Sequence, residues 1–285
     1  MAGTLYLVAT PIGNLGDISG RAAQTLADVD FIAAEDTRVT RKLLLHLNIK
    51  KQLVSYHEHN RRESGEKIIS RLLSGEDCAL VTDAGVPGIS DPGEDLVRQC
   101  AVSEIKIIAI PGPCAAVTAL SLSGLPSGRF TFEGFLPTAR KNRFELLNEL
   151  KTEKRSMLFY EAPHKLTRTL NDMLTVFGDR RISISRELTK LYEETMRCSL
   201  TEAIAHFELT PPRGEFVLVI EGASDEHISG TDIAEAIVSA GSYIADGLSV
   251  KDAVKKVADD TGVSRNALYK AIISTGQGAE VRGRD

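Results

Sequence analysis

Short, largely apolar runs, three of them ending in glycine- and proline-rich loops, most constrain how this 285-residue chain can fold. Leu5-Tyr6-Leu7-Val8-Ala9, Phe31-Ile32-Ala33-Ala34, Cys78-Ala79-Leu80-Val81 and Ile105-Lys106-Ile107-Ile108-Ala109 lack the alternation of a half-exposed strand. Such runs suit parallel strands covered on both faces. Helical patterns separate them: Arg21 to Ala27, Val39 to Leu47, and Glu66 to Leu73. Strands alternating with helices predict βαβ units and a mainly parallel sheet.

The pattern breaks at Gly124-Leu125-Pro126-Ser127-Gly128, which reads as a linker between domains. A second α/β block follows, with strands expected at Ser156–Tyr160, Ile182–Ser185 and Phe216–Ile220. Helices are expected from Arg143 to Leu150 and from Lys165 to Val176. Beyond Glu221 only helical spacing remains. Ser249-Val250-Lys251-Asp252 resembles a capping box, Gly262 is expected in a turn, and Ser264 can cap a last helix. Two helices around a glycine turn suggest helix-turn-helix geometry. The expected division is an α/β domain over 1–123, a second over 124–225, and a small helical unit over 226–285. Two domains of this size match the length and the 42% hydrophobic content.

No run of about 18 apolar residues is present, so no membrane span is expected. The start Met1-Ala2-Gly3-Thr4-Leu5 lacks the features of a signal peptide, and a cytosolic location is expected. Cys78, Cys100, Cys114 and Cys198 form no Cys-x-x-Cys pair and no zinc-type spacing, and no metal is expected. The net charge of -5 means that any nucleic-acid contact must come from local basic patches.

Three loops carry the chemistry: Thr10-Pro11-Ile12-Gly13-Asn14-Leu15-Gly16-Asp17, Thr82 to Gly93, and Pro111-Gly112-Pro113-Cys114-Ala115. Each follows a strand, where open α/β sheets bind ligands. Glycine lets the backbone approach a ligand and proline stiffens the loop, so three such loops suggest a wall for a flat, polar small molecule. There is neither a G-x-G-x-x-G turn nor a P-loop. Glu35-Asp36-Thr37-Arg38 marks a strand-to-helix junction. Asp36 or Thr37 can cap the helix, while Arg38 is disfavoured at a helix start and better suited to an anionic substrate. Tyr56-His57-Glu58-His59-Asn60 reads as a solvated loop. Tyr160-Glu161-Ala162-Pro163-His164 and Arg186-Glu187-Leu188-Thr189-Lys190 end two strands of the second block, where a cleft would use charged groups.

Together, Leu5–Leu15, Ala34–Arg38, Thr82–Gly93, Tyr160–His164 and Arg186–Lys190 resemble the signatures of the ribosomal RNA small subunit methyltransferase I family, within the tetrapyrrole-methylase-like superfamily. The resemblance runs from about Gly3 to Gly222. Thr82, Val86 and Cys114 are its small departures: serine, threonine and serine are common there. It implies two α/β domains of the tetrapyrrole-methylase type with a cofactor cleft between them, plus the C-terminal helical unit. The implied cofactor is S-adenosylmethionine. The implied product is a 2′-O-methylated cytidine in the decoding region of 16S rRNA, made on the RNA or the 30S subunit by a homodimer. By the same resemblance Pro11, Gly13, Asp83, Ala84, Gly85, Val86, Cys114 and Ala115 touch the cofactor. Tyr160 and Glu161 approach it from the second domain. A ribose hydroxyl needs a base or a cationic stabiliser, for which Glu187 and Lys190 are the candidates. Arg38, His164 and Arg186 are candidates for holding substrate. Two other readings stay open: a tetrapyrrole C-methyltransferase of the same fold, and a ligand-sensing helix-turn-helix regulator.

Overall fold

Alternate side chains of the apolar strands face opposite ways, and here both faces are covered. The computed structural model describes residues 2–224, 230–261 and 263–274. β1 (Thr4–Val8), β2 (Phe31–Ala34), β3 (Gln52–Ser55), β4 (Cys78–Val81) and β5 (Lys106–Ile110) form an all-parallel sheet in the order β3-β2-β4-β1-β5. Leu5, Phe31, Ala33 and Leu80 pack with Ile68 and Leu72 of α3 (Arg61–Leu73) and with Leu96 and Cys100 of α4 (Gly93–Val102). Val8, Ile32, Ala34 and Ala79 pack on the other side with Ala22 and Leu26 of α1 (Gly20–Asp28) and Leu44 of α2 (Thr37–His46). The helices after β1 and β4 therefore leave on opposite faces, although those strands are neighbours. This makes a switch point between them, where the two longest glycine-rich loops emerge side by side.

The second sheet is mixed. β6 (Phe130–Phe135) runs parallel to β7 (Ser156–Glu161), whereas β10 (Phe216–Ile220) is antiparallel to both β7 and β8 (Arg181–Arg186), and β9 (Glu194–Ser199) is antiparallel to β8. The order is β6-β7-β10-β8-β9. One face carries Met157, Phe159, Ile184 and Leu218 against α6 (Arg140–Leu150), α7 (Pro163–Phe177) and α8 (Leu200–Leu209). α8 starts with a full capping box from Ser199 and Glu202. The opposite face, with Leu158, Val217 and Val219, is covered by Ala116, Ala119 and Leu120 of α5 (Ala115–Ser123). α5 thus continues the chain from the first sheet and packs on the second. Gly124 ends it in the left-handed conformation, at φ +71°, and the chain then crosses to β6.

Met1–Gly222 form one compact unit holding both sheets, and Ala223–Asp285 form a second. The division expected near residue 124 lies inside the first unit, between the sheets. The second unit carries α9 (Gly230–Ala245), α10 (Val250–Thr261) and α11 (Arg265–Ser274) around Ala240, Val254, Val257 and Leu268. Ser249 Oγ accepts from Asp252 N at 3.1 Å and donates to that residue's carboxylate at 2.6 Å, so the cap is a variant of the box. The expected turn at Gly262 lies outside the described residues.

One buried ion pair pins the loop after β6. Arg143 of α6 is 2% exposed, donates to Asp172 Oδ2 on α7 at 2.7 Å, and donates to the carbonyls of Pro137 and Thr138. Removing the acid would leave a buried, uncompensated guanidinium. Asp172→Ala is expected to lower unfolding stability by about 3 kcal/mol in denaturant titration, whereas Arg155→Ala, at an exposed pair, should cost less than about 1 kcal/mol.

Candidate functional site

The loops from the switch point face the second sheet across a cleft of about 600 Å³, a volume suited to a nucleoside-sized ligand. The loop after β1 is tied to the loop after β4 by a two-bond bridge. Thr10 N donates to Gly85 O at 2.9 Å, and Gly85 N donates to Thr10 O at 3.1 Å. Gly85 has φ +87°, a conformation that L side chains rarely adopt. From the first lobe Ile12, Asp83, Ala84, Gly85, Val86, Cys114 and Ala115 line the cleft. From the second come Tyr160, Glu161, Leu188, Lys190, Glu215 and Val217.

The floor at the switch point is acidic. Thr82 Oγ1 donates to Glu35 Oε2 at 2.5 Å, Asp83 N donates to the same oxygen at 3.3 Å, and Asp36 N donates to Asp83 Oδ1 at 3.1 Å. Burial, with the Glu35 charge beside it, raises the Asp83 pKa above the ordinary carboxylate range. Asp91 is raised mainly by burial, and its carboxylate closes its own loop through the N–H groups of Gly88 and Gly93. Cys114 precedes α5 with no side-chain cap, so the first turn offers backbone N–H donors toward the cleft.

The opposite wall is more apolar. The Tyr160 ring meets those of Phe132 and Phe135 at centroid distances of 5.1 and 5.5 Å, and burial raises its hydroxyl pKa. Glu161 is 5% exposed. Its carboxylate accepts from Ala162 N at 2.8 Å and Thr169 Oγ1 at 2.5 Å, so it fastens the start of α7.

The loop after β8 brings charge to the mouth. Glu187 and Thr189 both have positive φ, 49° and 66°, and Glu187 is pressed against Gly214, where a Cβ would sit 2.5 Å from Glu187 Cγ. Lys190 Nζ lies 2.9 Å from Glu187 Oε1 and 2.8 Å from Glu215 Oε2. Burial disfavours the Lys190 charge, but the two carboxylates outweigh it and raise the pKa, so the group is an ammonium at neutral pH. Burial acts to raise the Glu187 pKa, yet Lys190 and the Glu215 N–H bring it below its ordinary value.

The remaining residues expected from the sequence are more dispersed. Pro11 and Gly13 line an adjoining pocket of about 270 Å³ that shares Thr82 and Asp83 with the cleft. Gly13 lies so close to the β8 loop that a Cβ would come within 2.4 Å of Lys190 Cγ. Arg38 does not reach into the cleft. Asp36 caps α2, and Arg38 folds back on it at 2.6 Å with its side chain 84% exposed. This pairing holds the Asp36 carboxyl down at about 2. His164 is exposed on the first turn of α7, outside the cleft lining. Arg186 ends β8 on the far side of Glu187, donating to Arg213 O at 2.7 Å. Glu215, just before β10, and Phe216 and Val217, its first two residues, were not expected at the site. The pair Gly214-Glu215 before an apolar run was their only signal.

Residues 4–204 match the tetrapyrrole (corrin/porphyrin) methylases, and residues 242–275 match the C-terminal helix-turn-helix domain named for RsmI. Fold and cleft are thus those of a tetrapyrrole-methylase-type protein. Among solved structures, a native uroporphyrin III C-methyltransferase from Thermus thermophilus superposes with a TM-score of 0.54 at 14% identity, covering 76% of this chain and 97% of the other. A cobalt precorrin-4 methyltransferase gives 0.57 at 14%, covering 76% and 94%. The sequence relatives are much nearer. A ribosomal RNA small subunit methyltransferase I from Halalkalibacterium halodurans is 49% identical, covering 94% of this chain and 93% of the relative. One from Synechocystis is 47% identical, covering 94% and 96%, and one from Bacillus subtilis is 45% identical, covering 94% of each. The chain belongs to the ribosomal RNA small subunit methyltransferase I family.

At Gly85 an added Cβ would meet nothing closer than Ile12 Cγ2 at 3.5 Å, so substitution there tests the backbone alone. Gly85→Ala is expected to cost about 1–2 kcal/mol in unfolding stability, and calorimetry should show weaker ligand binding in the cleft.

Proposed function

We infer that this chain is an S-adenosylmethionine-dependent methyltransferase that modifies the ribose 2′-oxygen of a cytidine in the decoding region of 16S rRNA. The likeness to named rRNA methyltransferases over 94% of the chain carries the reading. The cleft fits the cofactor by the chemistry of its groups. The uncapped start of α5 at Cys114 and Ala115 offers N–H donors to a carboxylate, Asp83 offers negative charge to a cation, and Tyr160, Val86 and Val217 offer apolar walls to a purine. When bound, S-adenosylmethionine supplies an electrophilic methyl group on a positively charged sulfur. Pro11, Gly13, Ala84, Gly85 and Glu161 are assigned to shaping this site.

Lys190 is the group we assign to the substrate oxygen. An ammonium has three donors; Glu187 and Glu215 take two, leaving the third for the ribose hydroxyl. A cation there lowers the pKa of the hydroxyl and stabilises the oxygen as its proton departs. Glu187, low in pKa and held by Lys190 and Glu215 N, is a positioning residue and a poor base. Glu215, with its side chain 80% exposed, is assigned to take the proton. Arg186, Arg38 and His164 are assigned to the RNA around the target. The reading extends to a cytosolic homodimer working through parts 1–123, 124–225 and 226–285 on 16S rRNA or the 30S subunit. Among the described residues no helix is long and apolar enough to cross a membrane.

The deciding experiment incubates the protein with labelled S-adenosylmethionine and, separately, unmodified 30S subunits, naked 16S RNA or a tetrapyrrole precursor. Label on a ribose 2′-oxygen is expected; label only on the tetrapyrrole would overturn the reading. Lys190→Ala should lower kcat by roughly 10²–10³-fold while leaving cofactor affinity within about threefold.

Asp83→Asn keeps an acceptor for Asp36 N but removes the charge. A carboxyl whose pKa is raised by folding opposes folding at neutral pH, an effect that disappears as pH falls through the raised value. The variant's ligand-free melting temperature at pH 7 should therefore be no lower than that of the wild type. Wild-type cofactor affinity should fall as pH drops through the Asp83 pKa, and the variant should bind weakly with a flat profile over the same range.

A further inference from the structure

A second cavity, of about 360 Å³, lies at the same end of β8 and β10 as the cleft, but on the face of the second sheet that packs against α6, α7 and α8. Its base is apolar: Ile184, Met196, Phe207 and Phe216, with the two phenylalanine rings edge-to-face at 5.8 Å. Its rim carries Arg186, Glu194 and Arg213, with the His206 imidazole beside them. The Thr210-Pro211-Pro212-Arg213 loop closes one side, and its two prolines restrict the backbone. Arg186 is held in place by the Arg213 carbonyl at 2.7 Å and faces Glu194 at 3.5 Å. The Arg213 side chain is exposed and makes no ion pair among those described.

An apolar aromatic base beneath a rim of guanidinium groups suits one nucleotide unit. The base lies against the aromatic edge, a guanidinium meets the phosphate, and a carboxylate accepts from an exocyclic amino group. The cavity also continues the proposed active cleft. Glu161, Phe216, Arg186 and Glu194 form one register row across β7, β10, β8 and β9, and Phe216 lines both cavities. Adjacent strands are about 4.8 Å apart, so the cleft and the cavity, with Phe216 common to both, lie within the span of one or two nucleotides of each other. Arg213 and Glu215, which border the two cavities, are two residues apart and so at most about 7 Å.

We propose that this cavity is a second nucleotide-binding pocket, which takes an unstacked base of the RNA strand one or two positions from the methylated residue and thereby sets the register of the target ribose against Lys190. It rests on the RNA-methyltransferase reading and assigns to that enzyme a determinant of sequence context separate from the catalytic cleft.

The test uses the full-length protein and a fluorescein-labelled fragment of the 16S decoding region, with affinity read by anisotropy. Arg213→Glu and His206→Ala remove rim contacts, and Thr210→Trp narrows the mouth. All three change exposed side chains. Each is expected to weaken RNA binding about tenfold, with S-adenosylmethionine affinity and circular dichroism unchanged. A single abasic nucleotide beside the target should weaken wild-type binding to a similar degree but add little further loss in Thr210→Trp, because both changes empty the same pocket. Wild-type affinity in all three variants, or abasic penalties that add in full at every position, would overturn the proposal. Methyl transfer by the wild type is scored separately: its absence would refute the catalytic reading, while the affinity measurements would still decide whether the pocket holds a base.

Discussion

The packing of α5 on the second sheet is the contact on which the rest of the site depends. The helix leaves the edge strand of the first sheet through Pro111–Cys114 and buries Ala116, Ala119 and Leu120 against Leu158, Val217 and Val219. Two alanines in that stripe let helix and sheet approach closely. The same chain segment therefore supplies the uncapped helix start in one wall of the cleft and the apolar anchor of the other. The distance between the walls is set by core packing, which tolerates little change.

Local strain concentrates where the walls meet. Gly85 has a left-handed backbone and shares two hydrogen bonds with Thr10, and Gly13 leaves no room for a Cβ beside Lys190. Glu187 and Thr189 hold positive φ without being glycine. Such conformations persist only when their surroundings over-determine them. Here those surroundings are the Gly214 contact and the ion pairs linking Lys190 to Glu187 and Glu215. The result is an ammonium with a fixed direction, which a flexible lysine would not otherwise have.

The first sheet and its loops were legible because glycine and proline punctuate the ends of apolar runs. The loops holding Asp83 to Val86 and Cys114 to Ala115 were marked in this way, while the resemblance singled out these residues together with Tyr160 and Glu161 at the end of β7; all line the cleft. What escaped depends on direction and on distant partners. β10 runs antiparallel to its neighbours, so its first residues, and not its last, face the cleft; periodicity cannot report this. β6 is interrupted by a bulge between Phe132 and Gly134, and β9 is a polar edge strand, so neither shows a clear apolar run. Asp36 was legible as a candidate cap of α2, but nothing in the linear pattern shows that the same carboxylate also holds the Arg38 guanidinium.

The late position of β10 also bears on how the protein comes into being. Residues 12, 83–86, 114–115, 160–161, 188, 190 and 215–217 all border one cavity, and the last group lies near the end of the first compact unit. Chains emerge from synthesis N-terminus first, and domains generally fold as units. The first sheet can gather its strands early, but β7 and β8 have no central partner until β10 is made and inserts between them. A growing chain therefore carries the glycine-rich loops long before β10 completes the opposite wall of the cleft.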